Sequence, residues 1–304
     1  MSWKFELVAG PFQGPGGGLA WDGRAMLFSM VDYGRILRFD AISGSVSEFR
    51  RYTNRTNGIA FGPDGALFGC QEAGRRIVRF LPDGSAPPTA NLLAGRFHNH
   101  PSDLAIDRLG RVWFSDPYHA KPAAGPRIPV LDHASVLRLE RDEKRAWRTI
   151  TRVTYDTAAP RAVLLSPDET TLYVAEGEVG RSCSRELRSY PIRDDGSLGP
   201  YKVLHTFGAD YQGEHRGIEG MCLDSEGNIV ACAGWKRSGP GPLIYVFSPS
   251  GAVLETHAIP ADFPMRCAFG DADLGSLYLT TMDGHLYRAK ATGRYGLASG
   301  WAPS

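Results

Sequence analysis

The stretch Asn57-Gly-Ile-Ala-Phe61, Gly62-Pro-Asp-Gly65, Ala66-Leu-Phe-Gly-Cys70 reads as a short apolar strand, a tight turn and a second apolar strand. Pro presets φ in such a turn, and Gly accepts the positive φ that a closing position requires. Short apolar runs bounded in this way mark β-strands rather than helices. The same phrase returns as Ser102-Asp-Leu-Ala-Ile106, Asp107-Arg-Leu-Gly110, Arg111-Val-Trp-Phe-Ser115. It returns again as Arg161-Ala-Val-Leu-Leu165, Ser166-Pro-Asp-Glu169, Thr171-Leu-Tyr-Val-Ala175. A fourth copy is Glu219-Gly-Met-Cys-Leu223, Asp224-Ser-Glu-Gly227, Asn228-Ile-Val-Ala-Cys232. Looser copies start at Gly17, with Ala25-Met-Leu-Phe-Ser29 following, and at Arg266, with Ser276-Leu-Tyr-Leu-Thr280 following.

Six copies thus begin at 17, 57, 102, 161, 219 and 266, spaced by 40, 45, 59, 58 and 47 residues. These spacings suit four-stranded units with loops of varying length. A third strand shows in each: Arg35-Ile-Leu-Arg-Phe39, Arg76-Ile-Val-Arg-Phe80, Ser135-Val-Leu-Arg-Leu139, Leu187-Arg-Ser-Tyr-Pro191, Leu243-Ile-Tyr-Val-Phe247 and His285-Leu-Tyr-Arg-Ala289. Little chain remains after the sixth copy for a fourth strand. The early run Lys4-Phe-Glu-Leu-Val-Ala9 can supply it, pairing the two ends of the chain and removing two exposed sheet edges. The sequence therefore predicts an all-β fold, a six-bladed β-propeller closed by an N-terminal strand, with residues 1–304 forming a single domain.

Bulk properties narrow the function. The 304 residues are 42% hydrophobic and 22% charged, the balance of an ordinary globular protein. A formal net charge of +1 provides no field to recruit nucleic acid or an anionic membrane, so the expected partner is a small molecule. Five cysteines (Cys70, Cys183, Cys222, Cys232, Cys267) are odd in number and lack metal-type spacing. Three of them lie in apolar runs and read as small buried hydrophobes in a reducing compartment. The opening MSWKFELVAG has no basic-then-apolar leader pattern, and no apolar run reaches membrane-spanning length. These features lead us to expect a cytoplasmic enzyme or binding protein. No Gly-x-Ser-x-Gly elbow, phosphate loop or dinucleotide fingerprint is present, so nothing supports a serine nucleophile or a nicotinamide cofactor.

The ordered phrases GLAWDGRAMLFS, GRILRFD, TNGIAFGPDGALF, PSDLAIDRLGRVWFSDPY, LSPDETTLYVAE, IEGMCLDSEGNIVA and CAFGDADLGSLYLTT resemble successive blades of the gluconolactonase / senescence-marker-protein (regucalcin) / luciferin-regenerating family. The resemblance runs from about residue 15 to 288. It implies a six-bladed propeller that opens lactones or related esters at one axial divalent cation, usually Ca²⁺. It also implies four ligands at inner-strand starts: a Glu on blade one, an Asn on blade three, an Asn on blade four and an Asp on blade five.

In a propeller the innermost strands line the axis, so Gly17, Asn57, Ser102, Arg161, Glu219 and Arg266 should converge on one mouth, with Asp103 beside Ser102. All four ligand positions depart from the family pattern. Gly17 stands for the Glu, Ser102 and Arg161 for the two Asn, and Glu219 for the Asp, leaving Glu219 as the one candidate metal ligand of the set. Ca²⁺ prefers six to eight oxygens. One guanidinium about 5 Å away repels a dication by roughly 6 kcal/mol at an effective dielectric of about 20. The expected calcium site is accordingly absent or rebuilt.

Two readings of the mouth remain. In one, Arg161 and Arg266 hold an anionic group or oxyanion while Glu219 or Asp103 acts as base or orients water. In the other, Arg161 and Glu219 are a structural pair plugging the channel. Asn57 and Ser102 are candidates for binding substrate. His98 and His100 fall on one side of an extended segment. They are candidates for substrate contact, for proton transfer or for Zn²⁺ with Glu219 or Asp103 as a further ligand. Tyr118 and His119 open a Pro- and Gly-rich loop over 120–130, the place of the family's lid, and are further candidates for the pocket. His133 is a weaker one. Asp116 is expected to tie down loop backbone, and Glu214-His-Arg-Gly217 and Trp235 to edge the mouth. The favoured function is a hydrolase opening a lactone or related cyclic ester. The alternatives are a metal-independent enzyme like strictosidine-synthase-type propellers, or a non-catalytic binder of a small acid.

Overall fold

The computed structural model describes residues 2–87, 89–119, 131–141, 148–180 and 182–297. Six antiparallel sheets carry the chain around a ring. Blade one runs from its inner strand Gly16–Trp21 through Ala25–Met30 and Arg35–Asp40 to Val46–Arg51. Blade two has Thr56–Phe61, Leu67–Gln71 and Arg76–Phe80. Blade three has Leu104–Ile106, Val112–Asp116, Ser135–Arg141 and Arg148–Arg152. Blade four has Pro160–Leu165, Thr171–Glu176, Arg185–Pro191 and Lys202–Phe207. Blade five has Ile218–Leu223, Ile229–Trp235, Ser238–Phe247 and Val253–Ala258. Blade six has Pro264–Gly270, Ser276–Thr281 and Leu286–Ala289, and its outer strand is the N-terminal Phe5–Ala9.

The turn chemistry read from the sequence closes the inner hairpins. The N–H groups of Gly65, Gly110, Glu169 and Gly227 donate to the carbonyls of Gly62, Asp107, Ser166 and Asp224 at 2.8–3.0 Å. All four closing residues have positive φ, including Glu169 at 59°, where blade four lacks the glycine. In blade two, Pro87 and Pro88 follow the third strand; Pro cannot donate to a ladder. The N–H groups of Arg79 and Thr89 instead make single bonds to Pro87 O and Ile77 O, and among the described residues this sheet has three strands. In blade five the Pro- and Gly-rich run after Trp235 is not a loop: Trp235 pairs with Ser238, so the turn is only Lys236-Arg237 and the third strand runs through Pro240 and Pro242.

Each middle strand is buried on both faces, which is why these runs are apolar throughout rather than alternating. Leu172 and Val174 pack toward blade three, whereas Tyr173 and Ala175 pack toward blade five. Ile229, Ala231 and Ala233 face blade four, whereas Val230 and Cys232 face blade six. The core is thus a ring of layers between blades. The closing strand pairs Phe5 with Ala289, Glu6 with Arg288 and Leu7 with Tyr287. Trp3 anchors it further, stacking on His257 of blade five at 4.0 Å and donating Nε1–H to Thr292 O at 2.8 Å. Among the described residues no helix is long and apolar enough to cross a membrane.

Candidate functional site

A bulge near the start of the inner strand aims the axial side chains. In blade four Pro160 pairs with Glu176 and Ala162 with Ala175, which leaves Arg161 as the extra residue. In blade five Ile218 pairs with Ala233 and Gly220 with Cys232, which leaves Glu219. Bulges bend a strand and redirect the unpaired residue. The ladders of blades one and two break likewise, between Gly16 and Leu19 and between Thr56 and Ile59. In blade six the extra residue is Met265, between Pro264 and Arg266. Arg266 therefore stands one register below the position the repeat assigned to it, beside Gly220 rather than level with Glu219. A Cβ on Gly220 would come within 2.9 Å of the Arg266 Cα.

Arg161, Glu219 and Arg216 form a clamp. Arg161 Nη2 donates to Glu219 Oε1 at 2.8 Å, and Arg216 Nη2 donates to Oε2 at 2.9 Å. Arg216 Nη1 also donates to Pro264 O at 3.1 Å, and its guanidinium lies over the Phe263 ring. Burial alone would raise the Glu219 pKa, but Arg161, Arg216 and Arg266 outweigh it and hold the carboxyl down at about 2. Arg161 Nη1 lies 3.8 Å from Glu178 Oε1. The clamp floors a cavity of about 620 Å³ that Trp235, Phe263, Met282 and Arg237 help to line.

Arg266 crosses the axis from blade six to blade three. Its Nη2 donates to Ser102 Oγ at 2.9 Å, and its Nε is 3.9 Å from Asp103 Oδ1. Asn57 Nδ2 reaches the same Ser102 Oγ at 3.5 Å. Asp103 accepts the Val163 N–H at 3.2 Å, and burial pushes its carboxyl up despite Arg266. Among the described residues, Arg266 Nε and Nη1 and Asn57 Oδ1 are buried without a hydrogen-bond partner.

The histidine segment divides between two environments. His98 is buried against Phe114, with Nδ1 3.0 Å from Asp116 Oδ1. Asp116 Oδ2 accepts the Asn99 N–H at 2.6 Å, so this aspartate holds loop backbone. His100 Nδ1 accepts the His119 N–H at 3.1 Å, and the two rings stack at 5.7 Å with Tyr118 alongside. Burial, with the nearby His119 and Arg75, lowers the His100 pKa to about 4, so its imidazole is neutral. His119 Nδ1 is 3.2 Å from Glu72 Oε1, and Arg55 Nη2 is 3.6 Å from the same oxygen. In the tautomer whose Nδ1–H donates to that carboxylate, the lone pair lies on the buried Nε2 of His119. Glu72 lies close enough to Arg161 for its charge to raise the arginine's pKa. His133 sits apart, bonded to Arg152 and Asp132. The 120–130 loop lies outside the described residues.

Sequence reading did not single out Glu72, Arg75 or Glu178, and it took in Arg216 only as part of a rim segment. Arg216 lies ahead of its strand. The available signal was its spacing from Glu219, three residues further on, but the bulge is what turns both toward one point.

A six-bladed propeller with a polar cluster on its axis defines the class of protein. The family model described as SMP-30/Gluconolactonase/LRE-like region matches residues 15–283, and the chain belongs to that family. It is 28% identical over 221 residues to a gluconolactonase of Zymomonas mobilis subsp. mobilis, covering 71% of this chain and 58% of that protein's length. It is 24% identical over 271 residues to a 6-deoxy-6-sulfogluconolactonase of Pseudomonas putida, covering 86% and 81%. The solved structure of a gluconolactonase from Xanthomonas campestris superposes with a TM-score of 0.77 at 27% identity, covering 95% of this chain and 89% of that one.

The family implies an axial cation, and the residues present do not fit one. A Cβ on Gly17 would collide with Ser29 Oγ and lie 3.0 Å from Asn57 O, so no ligand side chain can project there. Ser102 Oγ already takes the Arg266 N–H, and both oxygens of Glu219 hold guanidinium groups. Among the described residues no group of three or more His, Cys, Asp or Glu side chains is placed to hold a metal, so the histidine pair does not complete a zinc site there. A dication next to Glu219 would face two arginines across one carboxylate, a net repulsion.

Proposed function

We propose that the chain hydrolyses a lactone of a polyhydroxylated acid in the cavity above Glu219, with the arginine clamp taking the electrostatic role that a cation fills elsewhere in the family. The observation that carries this reading is the Arg161–Glu219–Arg216 clamp on the floor of that cavity. Attack of water on a lactone carbonyl places negative charge on the carbonyl oxygen. Fixed guanidinium N–H groups in a dry site stabilise that charge without reorganising. Glu219 orients both guanidiniums, and its low pKa makes it a poor proton acceptor at neutral pH. Proton transfer then suits His119, whose Nδ1 is engaged by Glu72 and whose Nε2 carries the lone pair.

The cavity lining balances Arg161, Arg216 and Arg237 against Glu178, Glu214 and Glu219, beside the Trp235 and Phe263 rings. That balance favours a neutral ring with many hydroxyls over the anionic substrate that two axial arginines alone would suggest. The occupation of both Glu219 oxygens also supports a second reading, a binding protein with a plugged axis.

Steady-state kinetics on a panel of aldonolactones separates the two. Hydrolysis by the wild type, falling by roughly 10²–10³-fold in Arg161→Met while the melting temperature stays within a few degrees, is the expected result. Binding of lactones without turnover would overturn the hydrolase reading, and full activity in Arg161→Met would overturn the role of the clamp.

A further inference from the structure

A second chamber of about 380 Å³ is lined by inner-strand residues of several blades, Asp103 and Arg266 among them. Cys222 and Cys267 both line it. They belong to the inner strands of blades five and six, 45 residues apart in sequence, yet their Sγ atoms are 3.7 Å apart. Cys222 is only part-buried, Cys267 is buried, and both are free thiols. Cys232, on the next strand of blade five, packs in the same core layer as Cys267. Cys267 Sγ lies 3.4 Å from Val230 O, to which it donates as a thiol. Hydrogen bonds from Cys222 and Cys232, with the adjacent Arg266 charge, instead favour its thiolate and lower its pKa.

We propose that Cys222 and Cys267 form a peroxide-reactive dithiol whose oxidation cross-links blades five and six. The co-reactant is a hydroperoxide small enough to enter the chamber. The Cys267 thiolate attacks one peroxide oxygen; the O–O bond breaks, the remaining oxygen takes a proton and leaves as water or an alcohol, and Cys267 becomes a sulfenic acid. Cys222 sulfur, giving up its proton, then attacks Cys267 Sγ and displaces hydroxide, which takes that proton to give water. Overall two thiols lose two electrons and two protons, and the peroxide gains them. Thiolate character makes Cys267, which lines the chamber, the site of first attack, and Cys222, held as a thiol by its contact with Cys267 and by burial, the resolving partner. Cys70 faces a different interblade layer, toward blade three, and Cys183 lies outside the propeller strands, so neither should join the cross-link.

The test treats the native full-length protein with hydrogen peroxide, blocks residual thiols with N-ethylmaleimide under denaturing conditions and maps non-reduced peptides by mass spectrometry. The expected product is a Cys222–Cys267 cross-linked peptide pair that dithiothreitol reverses and that disappears in Cys222→Ser and in Cys267→Ser. A second probe, phenylarsine oxide, bridges neighbouring thiols without any oxidation. One equivalent should bind the wild type and Cys183→Ser, and none should bind Cys222→Ser. Melting temperatures of the variants guard against misfolding. Over-oxidation of either cysteine without a cross-link, a pairing through Cys232 or Cys183, no reaction at all, or arsenical binding that survives Cys222→Ser would each overturn the proposal.

Discussion

Glu219 holds two guanidiniums at once, and this sets what its replacement should do. Glu219→Gln keeps the shape but leaves Arg161 and Arg216 buried without a counter-charge. Breaking a buried pair from one side costs about 3–5 kcal/mol. Activity should fall by at least about 10²-fold, and thermal unfolding should show a clear loss of stability. The pH dependence follows from the same contact. The folded carboxyl titrates at about 2, below its unfolded value of 4.5, so its stabilisation is complete above pH 4.5 and is lost as pH falls toward 2. A shift of that size corresponds to roughly 3 kcal/mol. Denaturant titrations between pH 6 and 2.5 should therefore show wild-type stability converging on that of Glu219→Gln, whereas a constant gap would contradict the assignment. Arg161 and Glu219 were legible in the sequence because the repeat phase put them at equivalent strand starts. Their pairing was one of two readings left open there. The Glu72–His119 contact was not legible, because 47 residues separate its partners and they lie on loops of neighbouring blades.

The inner strand is the element that builds the site, through its bulge and through the narrow neck beneath. At the neck the strands approach so closely that a Cβ on Gly58 would sit 2.8 Å from Ser102 O and 2.9 Å from Asp103 Cα. Both are backbone atoms that cannot move aside singly, and the Gly58 N–H bonds Ser102 O at 2.8 Å. Gly58→Ala should destabilise the protein by about 1–3 kcal/mol, the usual range for overpacking. Gly208→Ala, where nothing lies within 4 Å, serves as the neutral control. Equal melting temperatures for the two variants would refute the close approach. The strand–turn–strand phrase was readable because turn residues and apolar runs are local signals. The bulge was not, since an extra residue leaves the apolar pattern of its own strand intact. That is why the loosest copy was phased at Arg266 when Met265 holds the equivalent place. Between bulge and turn its strand is one residue longer than those of blades four and five, and its turn closes on Leu274 rather than on the glycine of an Asp-x-x-Gly anchor.

For the whole molecule, closure by Phe5–Ala9 joins the two ends of the chain and gives blade six its outer strand. The shortage of chain after His285 already pointed to this, because six units require a last outer strand from somewhere. Glu6 reinforces it by accepting from Arg288 Nη2 at 2.9 Å. Removing residues 1–9 should expose the edge of Leu286–Ala289, remove the Trp3–His257 stack and lower the melting temperature by many degrees, with aggregation on heating. An unchanged melting curve would mean that the ring closes without this strand. The ring also brings residues from five blades to one axis, so the chemistry is a property of the whole assembly and no single blade contains it. Membership in a lactonase-rich family and a guanidinium clamp in place of a ligand set together make metal-independent hydrolysis the central claim. The most direct measurement is the rate of aldonolactone hydrolysis by protein dialysed against EDTA, compared with the same protein after Ca²⁺ is added back. The account predicts equal rates in both and a loss of activity in Arg161→Met under either condition; activity that disappears with EDTA and returns with Ca²⁺ would contradict it.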